Sequence, residues 1–229
     1  LALALLALIS LTLISQIDFP SVPEKNTLSG GRSNVDLLLQ PVFAVAVIAA
    51  SVSYGVMNLL MAATPLAMQV CSMPFEQTAL VLEWHVIGMF APGFVTGHLI
   101  RRFGVLTIMG AGVILNLVCI AIALSGTELH HFIAALFVLG VGWNFLFTGS
   151  TTLSLDAYRP EEKDRAQALI NFCVFAIMSM SSFASGALLT TQGWSWLNGG
   201  SLVPVALTGL ALLWIARRKT STIEPQVSA

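Results

Sequence analysis

The chain has 229 residues, of which 56% are apolar and only 9% charged, with a formal net charge of −1 and a mean hydropathy of +0.87. Soluble domains carry about 25% charged residues, so this composition excludes a water-facing globular surface and points to an integral membrane protein. There is no basic face to neutralise phosphates, which excludes nucleic acid as a partner. Cys71, Cys119 and Cys173 are scattered, without metal spacing or an even framework, and read as small apolar packing residues.

Leu1 to Ile14 is an apolar run of 14 residues, shorter than the roughly 20 needed to span hydrocarbon. It has neither the basic leader nor the small-residue cleavage site of a signal peptide. It reads as the end of a truncated transmembrane helix (residues 1–17), and the chain as a fragment. Residues 18–40, with Pro, Ser, Asn and Gly-Gly, read as a polar linker. Gln40-Pro41 is a natural helix start, giving a span from about Pro41 to Val70, with Pro65 expected to kink it. Ser72-Met73-Pro74 closes that span. The next starts at Glu76 or Gln77, runs to about Ile100, and carries Glu83 and His85. Val105 to Leu124 and Leu129 to Ala157 follow. Ala166 to Ala216 is charge-free and too long for one crossing; Gln192-Gly193-Trp194-Ser195-Trp196-Asn198 divides it. Two Trp there suit a membrane interface. Asp164 with Gln167 fits a capping box opening the fifth span.

Only helices or closed barrels satisfy the backbone in lipid, and these runs are too long and too continuous for barrel strands. The expectation is an all-α membrane bundle over residues 41–219: six complete spans, the truncated helix before them, and a short tail at 220–229. All ten Lys and Arg fall in alternate connections: Lys25 and Arg32; Arg101 and Arg102; Arg159, Lys163 and Arg165; Arg217, Arg218 and Lys219. The positive-inside rule places those connections, the linker and the C-terminus in the cytoplasm.

A truncated helix, a long cytoplasmic linker, six helices and a cytoplasmic C-terminus resemble the second half of a major facilitator superfamily transporter. Gly97-His98-Leu99-Ile100-Arg101-Arg102-Phe103-Gly104 is similar to that family's signature of Gly, three residues, an acid, a base, one residue and Gly. Gly97, Arg102 and Gly104 match. Arg101 stands where the acid would be, and Val105-Leu106 replace a basic pair, so the acid's locking role has no bearer here. The complete spans would be that family's helices 7 to 12, and Asp156 and Pro160 to Ala166 look like the charged loop the family carries before helix 11, the fifth span here. The resemblance implies a bundle of two inverted three-helix repeats, alternating access, a cell-membrane location, and a preceding N-terminal half as partner. Gly97 would permit a tight helix exit, and Arg101 and Arg102 would complement the helix end and anchor it at headgroups. Gly93 and Gly97 form a small-xxx-small pair suited to close helix approach.

The resemblance makes the first and fourth complete spans line a central path. Tyr54, Asn58, Met61 and Pro65 share a face of the first. Asn144, Thr148 and Thr151 do so on the fourth, beside Trp143. A polar and aromatic stripe suits a small organic solute that stacks and hydrogen-bonds; interhelical bonding by the same residues is the alternative. Tyr54, Asn58, Trp143, Asn144 and Thr148 are therefore the substrate-binding candidates. Glu83 and His85 are the candidates for proton coupling, since ionisable groups inside a membrane are functional by default. Two residues apart on a helix, they face different ways. His130 and His131 are adjacent and lack facing ligands, so no metal is expected, and no cofactor. No His-Glu-x-x-His, Gly-x-Ser-x-Gly or phosphate loop appears, so no enzyme is expected. The expected function is secondary transport of a small organic solute, proton-coupled. The rivals are a membrane scaffold or sensor, and an intramembrane enzyme that would need a second embedded acid.

Overall fold

The computed structural model describes residues 2–17 and 31–221; most of the predicted linker and all but the first residues of the tail lie outside them. The chain forms two compact units, Leu1–Gly31 and Arg32–Ala229. The first contains helix α1 (Ala2–Ile14), apolar but for Ser10 and Thr12. Everything below concerns the second.

The second unit opens with a short helix, α2 (Asn34–Leu39), inside the segment that the sequence reads as linker. Ser33 and Asp36 form a reciprocal capping box there, and Leu37 is buried. Helix α3 (Pro41–Val70) begins where Gln40-Pro41 predicted, with the Gln40 side chain accepting from the Phe43 amide at 3.0 Å. Pro65 lies within it and does not end it. The end comes at Ser72, at φ 58°, where Met73 N–H donates to the Met68 carbonyl and Ser72 N–H to Gln69; Pro74 then bars continuation.

The predicted second span is two helices, α4 (Phe75–Phe90) and α5 (Gly93–Phe103). Pro92 causes the break: it has no N–H for the carbonyl one turn back, and its ring crowds that turn. Past it the Val95 amide takes the Pro92 carbonyl three residues back at 2.9 Å, and the Thr96 amide makes the first regular helical bond of α5 to the same carbonyl at 2.8 Å. Gly104, at φ 87°, is the single residue between α5 and α6 (Val105–Ser125). The tight exit assigned to Gly97 is therefore made by Gly104; Gly97 sits inside α5, and a Cβ there would meet nothing within 4 Å.

Helix α7 (Leu129–Leu155) leads through a 3-10 turn, Pro160–Glu162, into α8 (Lys163–Ser221). The predicted Asp164–Gln167 capping box does not form. Glu162 does the capping, its carboxylate accepting the Arg159 N–H at 3.0 Å, while the Gln167 amide donates to the Tyr158 hydroxyl at 3.1 Å.

Fifty-nine residues of helix would run about 90 Å at 1.5 Å per residue, some three times the hydrocarbon thickness. Gly193, at φ 81° and ψ 175°, is non-helical and turns the chain. Residues 163–192 lie on α3, with Ile177 against Gly55. Residues 194–221 lie on α6, with Val113 against Gly209. Trp194, read from sequence as an interfacial anchor, donates its indole N–H to the Ala123 carbonyl at 2.9 Å and so ties the turn to α6. Among the described residues five helices are long and apolar enough to cross a membrane, the fifth being this folded one. The crossings thus number six: α3, α4 with α5, α6, α7, and the two arms of α8.

Taken as two triplets, these six pack by exchange. The first helix of each triplet lies on the second helix of the other: α3 on the first arm of α8, and α7 on α4. Glycines set the distances. A Cβ on Gly140 would lie 2.6 Å from the His85 carbonyl oxygen and 2.7 Å from the Met89 nitrogen; one on Gly112 would lie 2.9 Å from the Gly142 carbonyl oxygen. Gly88 meets the Phe137 carbonyl equally closely. The close approach expected of Gly93 and Gly97 is thus carried by Gly88 and Gly140.

Candidate functional site

Near the middle of the bundle, α3 and α7 bring their aromatic residues together. Tyr54 meets Trp143 edge to face, with centroids 5.1 Å apart, and Phe147 likewise at 4.9 Å. Trp143 and Phe147 are stacked at 5.4 Å with planes 7° apart, and Phe90 from the end of α4 touches Trp143 at 6.5 Å. Quadrupolar rings favour such edge-on and offset contacts. Trp143 is 6% exposed and its indole nitrogen is buried without a partner, while Tyr54 and Phe147 remain half-buried. The ring surface open to a ligand is therefore that of Tyr54 and Phe147, with Trp143 behind. Phe147 was not anticipated, although its i+4 spacing from Trp143 placed it on the same face.

The two asparagines go elsewhere. Asn58 Nδ2 lies 3.2 Å from the Met178 carbonyl and 2.9 and 2.8 Å from the hydroxyls of Ser181 and Ser182, all on α8. Asn144 is 7% exposed. It donates to the Met89 carbonyl at 2.8 Å and accepts from the Thr96 hydroxyl at 2.6 Å. Both therefore spend hydrogen bonds between helices. Thr148 is half-buried one turn beyond Asn144, and its carbonyl accepts the Thr152 hydroxyl at 2.8 Å.

The sequence holds a signal for these clasps. Met89, Phe94, Thr96 and Gly97 on the second helix of one triplet are matched at the same spacing by Met178, Phe183, Ser185 and Gly186 on the second helix of the other. Met89 and Met178 supply the carbonyls to the asparagines. Thr96 and Ser185 are buried, and Phe94 and Phe183 are 92% and 85% exposed.

Glu83 and His85 are separated as their spacing implied. Glu83 is exposed and lines an open groove of about 1240 Å³ between α3 and α4, beside Pro65, Gln69 and Val86. His85 is fully buried, with Nδ1 2.7 Å from the Leu136 carbonyl on α7. A carbonyl can only accept, so Nδ1 carries the proton in the neutral ring and the buried, unpartnered Nε2 holds the lone pair.

Arg101 lies 3.2 Å from His98 Nδ1, and the Arg102 guanidinium sits 5.2 Å above the Phe103 ring. Beyond α6 the structure supplies the facing group that the sequence reading of His130 and His131 lacked. Glu128 lies 3.3 Å from His130, and the ligating atoms of Glu128, His130 and His131 fall within 4.8 Å of one another, with Glu128 and His130 exposed.

At the opposite end, Glu162 gathers four donors. The Arg32 backbone N–H and Nε meet Oε1 at 2.9 and 3.0 Å, and Arg32 Nη2 and the Arg159 N–H meet Oε2 at 2.7 and 3.0 Å. Arg32 Nη2 also reaches the Ala157 carbonyl at 2.9 Å, and Arg165 donates to the Arg32 carbonyl at 2.6 Å. This charged connection precedes the apolar run that starts at Ala166. The Arg32 side chain, then the two backbone amides, hold the Glu162 carboxyl well below the usual carboxylate range.

Comparison with known proteins agrees with this architecture. The Major Facilitator Superfamily profile matches residues 2–228. The chain is 36% identical over 223 residues to the riboflavin transporter RfnT of Brucella anthropi, an alignment covering 96% of this chain and 56% of that protein. It is 30% identical over 135 residues to the uncharacterised MFS-type transporter YddS of Bacillus subtilis, covering 58% of this chain and 30% of the relative. The chain thus spans about half the length of the riboflavin transporter. The membrane-length apolar helices, their exchanged packing and the profile match over nearly every residue have one reading: this chain belongs to the Major Facilitator Superfamily.

Proposed function

We propose that this chain is the solute-facing C-terminal half of a secondary transporter in a cell membrane, with a cytoplasmic C-terminus, working by alternating access together with an N-terminal half. The solute is a small, flat heteroaromatic molecule of the riboflavin type. The aromatic cluster carries this reading: Tyr54 and Phe147 offer ring faces near the middle of the bundle, backed by Trp143. Ring systems stack on such surfaces, and a few polar groups fix their orientation. The name of the 36% identical relative, a riboflavin transporter, fits the same solute class. Asn58 and Asn144, committed to neighbouring helices, contribute to the shape of the path more than to solute bonding. Glu83, an acid on the membrane-length span formed by α4 and α5 and lining a groove, is the residue for proton coupling. His85 is held by α7 and serves packing.

The test is riboflavin uptake by the full-length protein in proteoliposomes, with and without a pH gradient, comparing native protein with Tyr54→Ala and Glu83→Gln. Uptake lowered about tenfold in Tyr54→Ala, and gradient dependence lost in Glu83→Gln, is the expected pattern. Uptake by Glu83→Gln that still follows the gradient overturns the coupling assignment. No flux of any flat heteroaromatic solute by native protein overturns the transport reading and favours a scaffold.

A further inference from the structure

The two asparagine clasps occupy corresponding places. Each comes from the first helix of one triplet and takes a methionine carbonyl on the second helix of the other: Asn58 takes Met178, and Asn144 takes Met89. Each also meets hydroxyl groups on that helix, Asn58 those of Ser181 and Ser182 and Asn144 that of Thr96. The backbones they hold differ. Around Met178 the chain is a continuous helix. Around Met89 it is interrupted at Pro92: α4 ends at Phe90 and α5 starts at Gly93, although Ala91 and Pro92 keep helical φ and ψ.

Asn144 bridges that break. Its Nδ2 donates to Met89 on α4, and its Oδ1 lies 2.6 Å from the Thr96 hydroxyl on α5, whose one proton it shares with the Pro92 carbonyl 2.8 Å away. A carbonyl that would otherwise be unsatisfied in hydrocarbon is thereby paired. Phe90, the last residue of α4, packs on Trp143, the residue preceding Asn144. The break is thus joined to the aromatic cluster by both of its neighbours on α7.

We infer that Asn144 is the latch of a hinge at Ala91-Pro92, positioning α5 relative to α4, and that Asn58 is its fixed counterpart on an unhinged helix. The inference deepens the transport reading, because the hinge lies against the proposed solute surface. A solute that displaces Trp143 or Phe90 shifts the latch, and α5 moves with its exposed Phe94. Asn144 acts here through the helix it holds and is a positioning residue.

The experiment has two arms on the full-length protein in nanodiscs. In the first, without solute, backbone hydrogen exchange is compared in native protein, Asn144→Ala, Asn144→Ser and Asn58→Ala. Asn144→Ala is expected to raise exchange about tenfold at amides flanking the break (residues 90–96), the effect of one lost buried hydrogen bond. Asn58→Ala is expected to leave residues 178–186 protected, since their helical bonds persist. Asn144→Ser should restore part of the protection, and retained exchange elsewhere shows that the fold survives. Equal loosening of both segments, or none at residues 90–96, overturns the hinge. In the second arm, riboflavin flux is measured in reconstituted protein. Asn144→Ala should change maximal flux at least fivefold with KM changed less than twofold. A raised KM at unchanged maximal flux would make Asn144 a solute ligand and overturn the positioning role. Absence of flux in native protein refutes the transport reading and leaves the hinge judged by the first arm.

Discussion

Tyr54 and Trp143 stand at right angles, planes 87° apart, across the seam between α3 and α7. An aromatic pair of this geometry contributes about 1 kcal/mol beyond the area it buries. Tyr54→Phe keeps the ring and should keep both stability and solute affinity within about twofold. Tyr54→Ala removes two edge-on contacts together, and solute KM should rise about tenfold. Steady-state uptake of riboflavin over a concentration series distinguishes the two.

Gly88 faces the main chain of Phe137 with no room for a side chain, whereas Gly97 faces open space. Gly88→Val should force α4 away from α7, costing about 3 kcal/mol by overpacking, and should lower the yield of folded protein sharply. Gly97→Ala should be tolerated. Size-exclusion profiles of the detergent-solubilised variants read the difference.

The Glu162 carboxyl titrates well below its ordinary value of 4.5, because Arg32 and two backbone amides favour its charged form. A depressed folded-state pKa contributes stability that is fully present above the unfolded-state value. That stability is lost as pH falls through the folded one. The advantage of native protein over Glu162→Gln in melting temperature should therefore be constant from about pH 6 upward and shrink below about pH 4.5. Melting curves between pH 3 and 8 give the answer. An advantage that grew on acidification would contradict the pairing.

Gly193 turns α8 at φ 81° and ψ 175°, a region that costs other residues roughly 1–3 kcal/mol. Gly199 is helical, and a Cβ there would meet nothing within 4 Å. Gly193→Ala should destabilise by about that amount, and Gly199→Ala should stabilise by about 0.5–1 kcal/mol. Thermal unfolding of the pair tests whether the long helix turns where described.

The span boundaries were legible because they depend on local chemistry: Pro41 after Gln40, Pro74 after Ser72, and Gly193 within an apolar run all act through their own backbone. The break at Pro92 was hidden because an uninterrupted apolar stretch of membrane length reads as one helix. Whether Pro92 bends or severs it depends on partners such as Asn144 and Thr96. α2 was missed although Ser33 and Asp36 spell a capping box, since a polar segment without periodicity reads as linker. At the site, spacing grouped Tyr54 with Asn58 on one face of its helix, and the structure packs Tyr54 on Trp143. Spacing could not tell whether Asn58 and Asn144 turn to a solute or to a neighbouring helix, because an amide suits both.

The junction at Glu162 has a mechanical consequence. It joins Arg32, at the head of the second unit, to the turn between α7 and α8, 130 residues away in sequence. A force applied at Arg32 therefore meets the start of α8 before it can peel α3 from its neighbours. Extraction from a membrane by pulling on the N-terminal side should begin with one abrupt rupture at that clasp, not with helix-by-helix unravelling.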